Sequence, residues 1–140
     1  MIALAWATHA LSWFLPAAHG ILYDSAPGWF AFIVALSPLL TSQLFHENPW
    51  YYSVLSFAST VTTFMFILGS PLAVWRGSRS ARRASAWVAI TAFIVNSHWY
   101  FFGFWVLRED LSVGYFLWWL SFILLAIGLF GLSRNGEVSQ

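Results

Sequence analysis

Five long apolar stretches, separated by very little charge, decide what this chain can fold into. They run from Ile2 to Leu15 (or to Leu22, past Pro16), Gly28 to Phe45, Trp50 to Trp75, Ser85 to Leu107 and Tyr115 to Ser133. A helix needs ~20 apolar residues to cross a hydrocarbon core of roughly 30 Å. The last three stretches reach that length. The first is short unless it continues past Pro16, and the second is interrupted by Ser37-Pro38. A soluble domain is excluded by composition, because 60% of the residues are hydrophobic and only 8% are charged. A small soluble domain leaves much of its surface in water and needs polar side chains to cover it. The expected fold is all-α: one polytopic transmembrane helix bundle over residues 1–140.

Orientation follows from the arginines, which are the only basic residues besides histidine. Arg76, Arg79, Arg82 and Arg83 fall within residues 76–83, which contain no acid. Short cytoplasmic loops carry an excess of Arg and Lys, so 76–83 is expected as a cytoplasmic loop. Arg134 and the tail 134–140 then also lie inside, and Arg108, Glu109 and Asp110 lie outside. No Lys or Arg occurs between Pro16 and Pro49, which suits the outer face, and Pro38 favours a break there. Four spans with both termini cytoplasmic are expected, with 28–45 forming a Pro-broken re-entrant or interfacial helix outside. The alternative is five spans. Ile2–Leu15 is expected to be retained, since no basic n-region of a signal peptide precedes Trp13.

Aromatic residues follow the same layout. Trp50, Tyr51, Tyr52, Trp99, Tyr100, Trp105, Tyr115, Trp118 and Trp119 cluster at the expected outer ends, and Trp75 and Trp87 flank the arginines. Trp and Tyr favour the headgroup level. The heavy outer belt anchors the helices or offers aromatic surfaces to lipid or cofactor tails. In layout the chain resembles small bacterial membrane proteins of about four spans, which implies a bacterial cytoplasmic membrane.

In lipid, helices associate through small residues and interhelical hydrogen bonds. Ser53, Ser56, Thr60 and Thr63 share one face of the third stretch, and Gly114, Ser121 and Gly128 recur at seven-residue intervals in the fifth. Both stripes are expected as packing seams. Thr8, Ser12, Pro16 and His19 would line one side of the first helix if it stays helical past the proline.

Chemistry is sparse. The chain has no cysteine and no Asn-x-Ser/Thr sequon, and the four spans expected to cross carry no mid-membrane Asp, Glu, Lys or Arg of the kind that pumps use. No nucleophile–base spacing or phosphate-cradling loop occurs. Nucleic acid is excluded as a partner, since no basic stripe exists outside 76–83. The histidines are the candidate ligands. His9 and His98 could hold a haem b axially from facing helices, although counting from the inner ends puts them roughly 7 Å apart in depth at ~1.5 Å per residue. Five spans would bring their depths closer. His19, His46 and Glu47 are a second candidate set, for zinc or copper. Arg76, Arg79, Arg82 and Arg83 would contact anionic lipid or an acidic partner.

The function expected from this pattern is a non-catalytic membrane subunit or assembly partner of a larger complex, bound to the lipid bilayer and to other subunits or to itself. The alternatives are a small b-type haem or quinone-interacting electron-transfer protein using His9 and His98, and a small homo-oligomeric transporter or channel.

Overall fold

Pro16 sets the first boundary. The computed structural model describes residues 1–20, 23–30, 32–33, 36, 50–101 and 110–135. Helix α1 (Ile2–Phe14) stops at Leu15, whose backbone is extended at φ −87 and ψ 154. A residue before proline is pushed out of the α region by the ring, and the chain follows it. Strand β1 (Pro16–Gly20) pairs antiparallel with β2 (Tyr23–Pro27), with two register irregularities. The longer option for the first helix is therefore not formed, and Pro16 and His19 belong to a strand, not to the helical face of Thr8 and Ser12. The hairpin is also the departure from a purely α-helical chain. It docks beside the start of the last helix, where Ser112 N–H donates to Ala17 O at 2.9 Å and Ala18 bridges Leu111. Of the second apolar stretch, 28–30, 32–33 and 36 are helical. The remainder, with Pro38, His46 and Glu47, lies outside the described residues.

Trp50 to Trp75 forms one rod in three parts: α2 (Trp50–Phe64), a π turn (Met65–Gly69) and α3 (Ser70–Trp75). Pro71 explains the middle part. Within an α-helix its ring would press on the carbonyl of Ile67 and leave it without a donor. A π turn inserts one extra residue and moves that conflict out of the ladder. Ser70 N–H reaches back five residues to Met65 O, and Ser70 Oγ donates to Phe66 O at 2.6 Å.

Helix α4 (Arg79–Asn96) begins earlier than hydropathy alone marks. Ser78 is extended and its side chain accepts from Ala81 N–H at 3.3 Å, an N-cap that satisfies an orphan donor. Arg79, Arg82 and Arg83 thus sit on the first turns of α4, and the expected loop 76–83 narrows to 76–78. The other end is also earlier. Asn96 Nδ2 donates to Ala92 O at 2.8 Å, Ser97 Oγ to Ile94 O at 2.6 Å and His98 Nδ1 to Val95 O at 2.6 Å. Three consecutive polar side chains bond backbone carbonyls one turn back, where they compete with the ladder. A turn at Ser97 follows, then the short α5 (His98–Phe101). Residues 102–109 are outside the described residues.

Helix α6 (Val113–Asn135) is the axis of the fold. It packs against α1 on one side and α4 on the other. The contacts fix direction. Trp87 meets Phe130, Phe93 meets Trp119, and Tyr115 OH donates to Asn96 O, so α4 and α6 are antiparallel. Trp6 bonds Ser70, and His9 stacks on Phe66, so α1 runs against α2–α3. The result is an up-down set of columns, with Met1, the arginines of 76–83 and Arg134 at one end. Val54–Trp75 and Val113–Arg134, 22 residues each, are long and apolar enough to cross a membrane.

The interior is made of small residues. Ala5, Ala86, Ala89, Ala92 and Ala126 are buried beside Phe66, Phe122, Leu125 and Leu129. Small residues at helix–helix contacts let the backbones approach closely. The approach is close between α1, with the residues just past its end, and α6. A Cβ on Gly114 would lie 2.7 Å from Leu15 O and Pro16 O, and one on Gly128 would lie 2.5 Å from Ile2 Cγ1. A Cβ on Gly131 would meet nothing within 4 Å. Gly114→Ala is expected to destabilise the bundle by about 1–3 kcal/mol, because backbone oxygens have to move. Gly131→Ala is expected to stay within about 0.5 kcal/mol of the parent. Thermal unfolding of both variants in one detergent checks the difference.

Candidate functional site

Among the described residues, the polar groups of the interior are the candidates for chemistry, and two centres hold most of them. The first lies where α1 crosses the middle of α6. His9 is on the buried stripe Ala5, His9, Ser12 of α1, so its ring enters the seam. Its Nδ1 lies 2.9 Å from Ser121 Oγ, and Ser121 Oγ donates to Trp118 O at 2.6 Å. A serine hydroxyl has one proton. With that proton on the Trp118 carbonyl, the serine oxygen accepts from His9 Nδ1–H. His9 is thereby held in the Nδ1–H tautomer, with its ring stacked on Phe66 at 4.0 Å and edge-on to Phe122. Its Nε2 is buried and has no hydrogen-bond partner among the described residues.

This Ser–His pair is not a nucleophile with its base. General-base activation needs the imidazole to take the hydroxyl proton, whereas here the imidazole donates and the serine proton is spent on the backbone. Both side chains are also buried between helices. The arrangement ties α1 to α6.

The second centre is Asn96 at the end of α4, fully buried. Its Nδ2 donates to Thr62 Oγ1 at 2.9 Å, and its own carbonyl accepts from Tyr115 OH at 2.9 Å. One residue therefore links α2, α4 and α6. Trp99 Nε1 donates to Ser59 Oγ at 3.2 Å and Trp119 Nε1 to Phe93 O at 2.8 Å, which adds two more cross-ties nearby. His98 is buried, with Nδ1–H on the Val95 carbonyl and Nε2 unpartnered.

His9 and His98 thus share a tautomer in which Nε2 carries the free lone pair, as a metal-ligating histidine has when its other nitrogen donates. They do not share a level. His9 is matched to Phe66, whereas the neighbours of His98, Asn96 and Trp99, bond Thr62 and Ser59. Those residues are four and seven positions from Phe66, roughly 6 to 10 Å along a helix at ~1.5 Å per residue. Two axial ligands of a single haem iron have to meet at one level, so the two rings do not form a haem site as they stand. For the other candidate set, His19 is in β1 and His46 and Glu47 lie outside the described residues. Among the described residues no three His, Asp or Glu side chains come together as a metal site.

The hydroxyl stripe of α2 is buried at Ser56, Thr60 and Thr63; the side chain of Ser53 is outside the described residues. Ser59, Thr62 and Ser70 are polar members of the interior that the spacing argument passed over. Ser56, Ser59, Thr63, Phe66, Ser70 and Ala73 form the buried seam with intervals of three and four, and that interval was the available signal. Asn96 and the indole donors Trp6, Trp99 and Trp119 were also missed. Nothing in sequence distinguishes a tryptophan whose N–H seeks a buried partner from one that anchors at a headgroup.

The arginines divide. Arg82 reaches back to the end of α3, donating from Nε to Ala73 O at 3.4 Å and from Nη2 to Val74 O at 3.3 Å. It caps carbonyls that a helix end leaves without partners. Arg76 and Arg83 are exposed.

Ser121→Ala removes the acceptor of His9 Nδ1–H and is expected to cost about 1–2 kcal/mol, near the upper end for hydrogen bonds between membrane helices. In a cycle with His9→Phe the two losses are expected to be non-additive by at least about 0.5 kcal/mol. Additive losses in detergent unfolding would refute the tie. No protein-family model, no curated protein and no solved structure matches this chain.

Proposed function

We propose that this chain is a non-catalytic membrane-embedded subunit that assembles with other membrane proteins. Four columns, α1, α2–α3, α4 with its continuation, and α6, cross a bacterial cytoplasmic membrane. The end that gathers Met1, Arg76 to Arg83 and Arg134 faces the cytoplasm, in keeping with the positive-inside bias.

The observation that carries the reading is the division of the surface. Inward polar groups tie helices together through His9–Ser121, Trp6–Ser70, Asn96–Thr62 and Tyr115–Asn96, while His9 Nε2, Thr60 Oγ1, Asn96 Oδ1 and His98 Nε2 find no partner among the described residues. Outward faces are apolar on every column: Leu4, Leu11 and Phe14 on α1, Val54 and Leu68 on the second, Val88 and Ile94 on α4, and Leu120 and Ile127 on α6. Such a surface suits lipid and apolar helices.

Hydrophobic mismatch favours protein partners over lipid alone. Helix α1 has 13 residues, about 20 Å at ~1.5 Å per residue, against a hydrocarbon core of roughly 30 Å. A short apolar column is relieved by bilayer thinning or by association, and its end residue Phe14 is 80% exposed.

Affinity purification in mild detergent from the native membrane tests this. The expected result is one or more larger membrane proteins in fixed stoichiometry, with no Soret band in the absorption spectrum. A monodisperse chain without protein partners would remove the reading, and a Soret band would favour haem binding instead.

A further inference from the structure

We infer that the cytoplasmic half of the bundle holds one anionic phospholipid, with an acyl chain between α2–α3 and α4 and its phosphate at the arginines. This rests on the membrane placement proposed above and adds a ligand class to it.

The two columns do not close against each other over their full length. Between them lies a groove of about 200 Å³ whose floor is on α6, at Phe122 and Leu125, and whose rim is formed by Met65 and Val88. Met65 is 51% and Val88 42% exposed, whereas Phe122 and Leu125 are buried, so the groove opens sideways. A sideways opening on a spanning bundle faces acyl chains. The π turn shapes it. Gly69 lines the groove, and a Cβ placed there would meet nothing within 4 Å. The missing side chain is therefore space that a ligand can use.

Charge commits the occupant. The groove ends near Ser70 and Ser85, and just beyond them Arg82 bonds Ala73 O and Val74 O. From Ser85 to Arg82 is three residues, about 5 Å along the helix at ~1.5 Å per residue. Those two bonds use two of the five guanidinium donors, and exposed Arg76 and Arg83 flank the same end. A chain lying in the groove would bring its headgroup to this cluster. Arginine pairs with phosphate through its planar fork, and each basic residue near a membrane surface adds about a fivefold preference for anionic lipid. A zwitterionic lipid fits the groove equally well and gains less at the arginines.

The test uses the full chain reconstituted in vesicles of equal phosphatidylglycerol and phosphatidylcholine, then re-extracted in mild detergent, with retained lipid counted by native mass spectrometry. The expected result is about one phosphatidylglycerol per chain, several-fold over phosphatidylcholine. Gly69→Leu, which adds bulk at a groove-lining position where a Cβ has open space among the described residues, is expected to remove retention of both lipids. Arg76→Gln with Arg83→Gln is expected to leave total retention and lower the preference. Equal retention of both lipids by the parent chain would overturn the inference, and so would phosphatidylglycerol retention that survives Gly69→Leu. Failure to enter vesicles at all would overturn the membrane reading with it, whereas insertion without lipid selection removes this inference alone.

Discussion

Everything else in the bundle depends on how closely α1 lies along α6. The two helices touch backbone at Gly114, side chain at Ser121 and side chain again at Gly128, which are spaced at seven residues, two helical turns each. Matching positions are His9 and Ile2 on α1, and Leu15 and Pro16 just past its end. Small residues allow the approach, and the approach makes the polar tie affordable, since an imidazole between helices needs an acceptor at hydrogen-bond distance or it costs a buried donor. Moving the helices apart by one methyl group removes both terms together. The same contact orients His9 toward Phe66 and so places the second column.

Polar ties in lipid act as specification more than as glue. Hydrogen bonds between membrane helices contribute modestly, because the separated helices also find partners. Their directional geometry is what matters here. Asn96 accepts one partner from α6 and gives one to α2, so α4 has a single rotation and a single height that satisfy both. An alanine face such as Ala86, Ala89 and Ala92 would slide; an asparagine at its end stops the slide. Ser70 does the same for α1 and α3, taking the Trp6 indole N–H while donating to Phe66 O.

The long columns Trp50–Trp75 and Val113–Asn135 were legible because hydropathy reports a run of apolar residues directly. The interruptions were less so. Pro16 is visible as a breaker, but whether a hairpin or a continued helix follows depends on Ser112 and Leu111, nearly a hundred residues away. The start of α4 was placed late because arginines read as loop, while Ser78 as a cap and Ala73 and Val74 as acceptors turn three of them into a first turn of helix. In the interior, the intervals of Gly114, Ser121 and Gly128 stand out in the sequence, but their partner helix does not. The importance of Asn96 comes from Thr62 and Tyr115, which no local spacing reveals.

The π turn connects these points. Pro71 would interrupt an ordinary spanning helix, and the extra residue that absorbs it also widens the rod at Met65–Gly69. Widening at that height does two things at once. On one side it presents Phe66 to His9, closing the first column onto the second. On the other it leaves Gly69 over open space between α2–α3 and α4. A straight helix with alanine at 71 would let the columns close, and the space beside Gly69 would shrink with them. Irregular backbone at membrane depth persists where protein buries it or where it lines a water-filled cavity. Here the polar groups freed by the turn are answered within the chain by Ser70, so what the irregularity leaves behind is shape, and that shape lies next to the only end of the bundle where positive charge is gathered among the described residues.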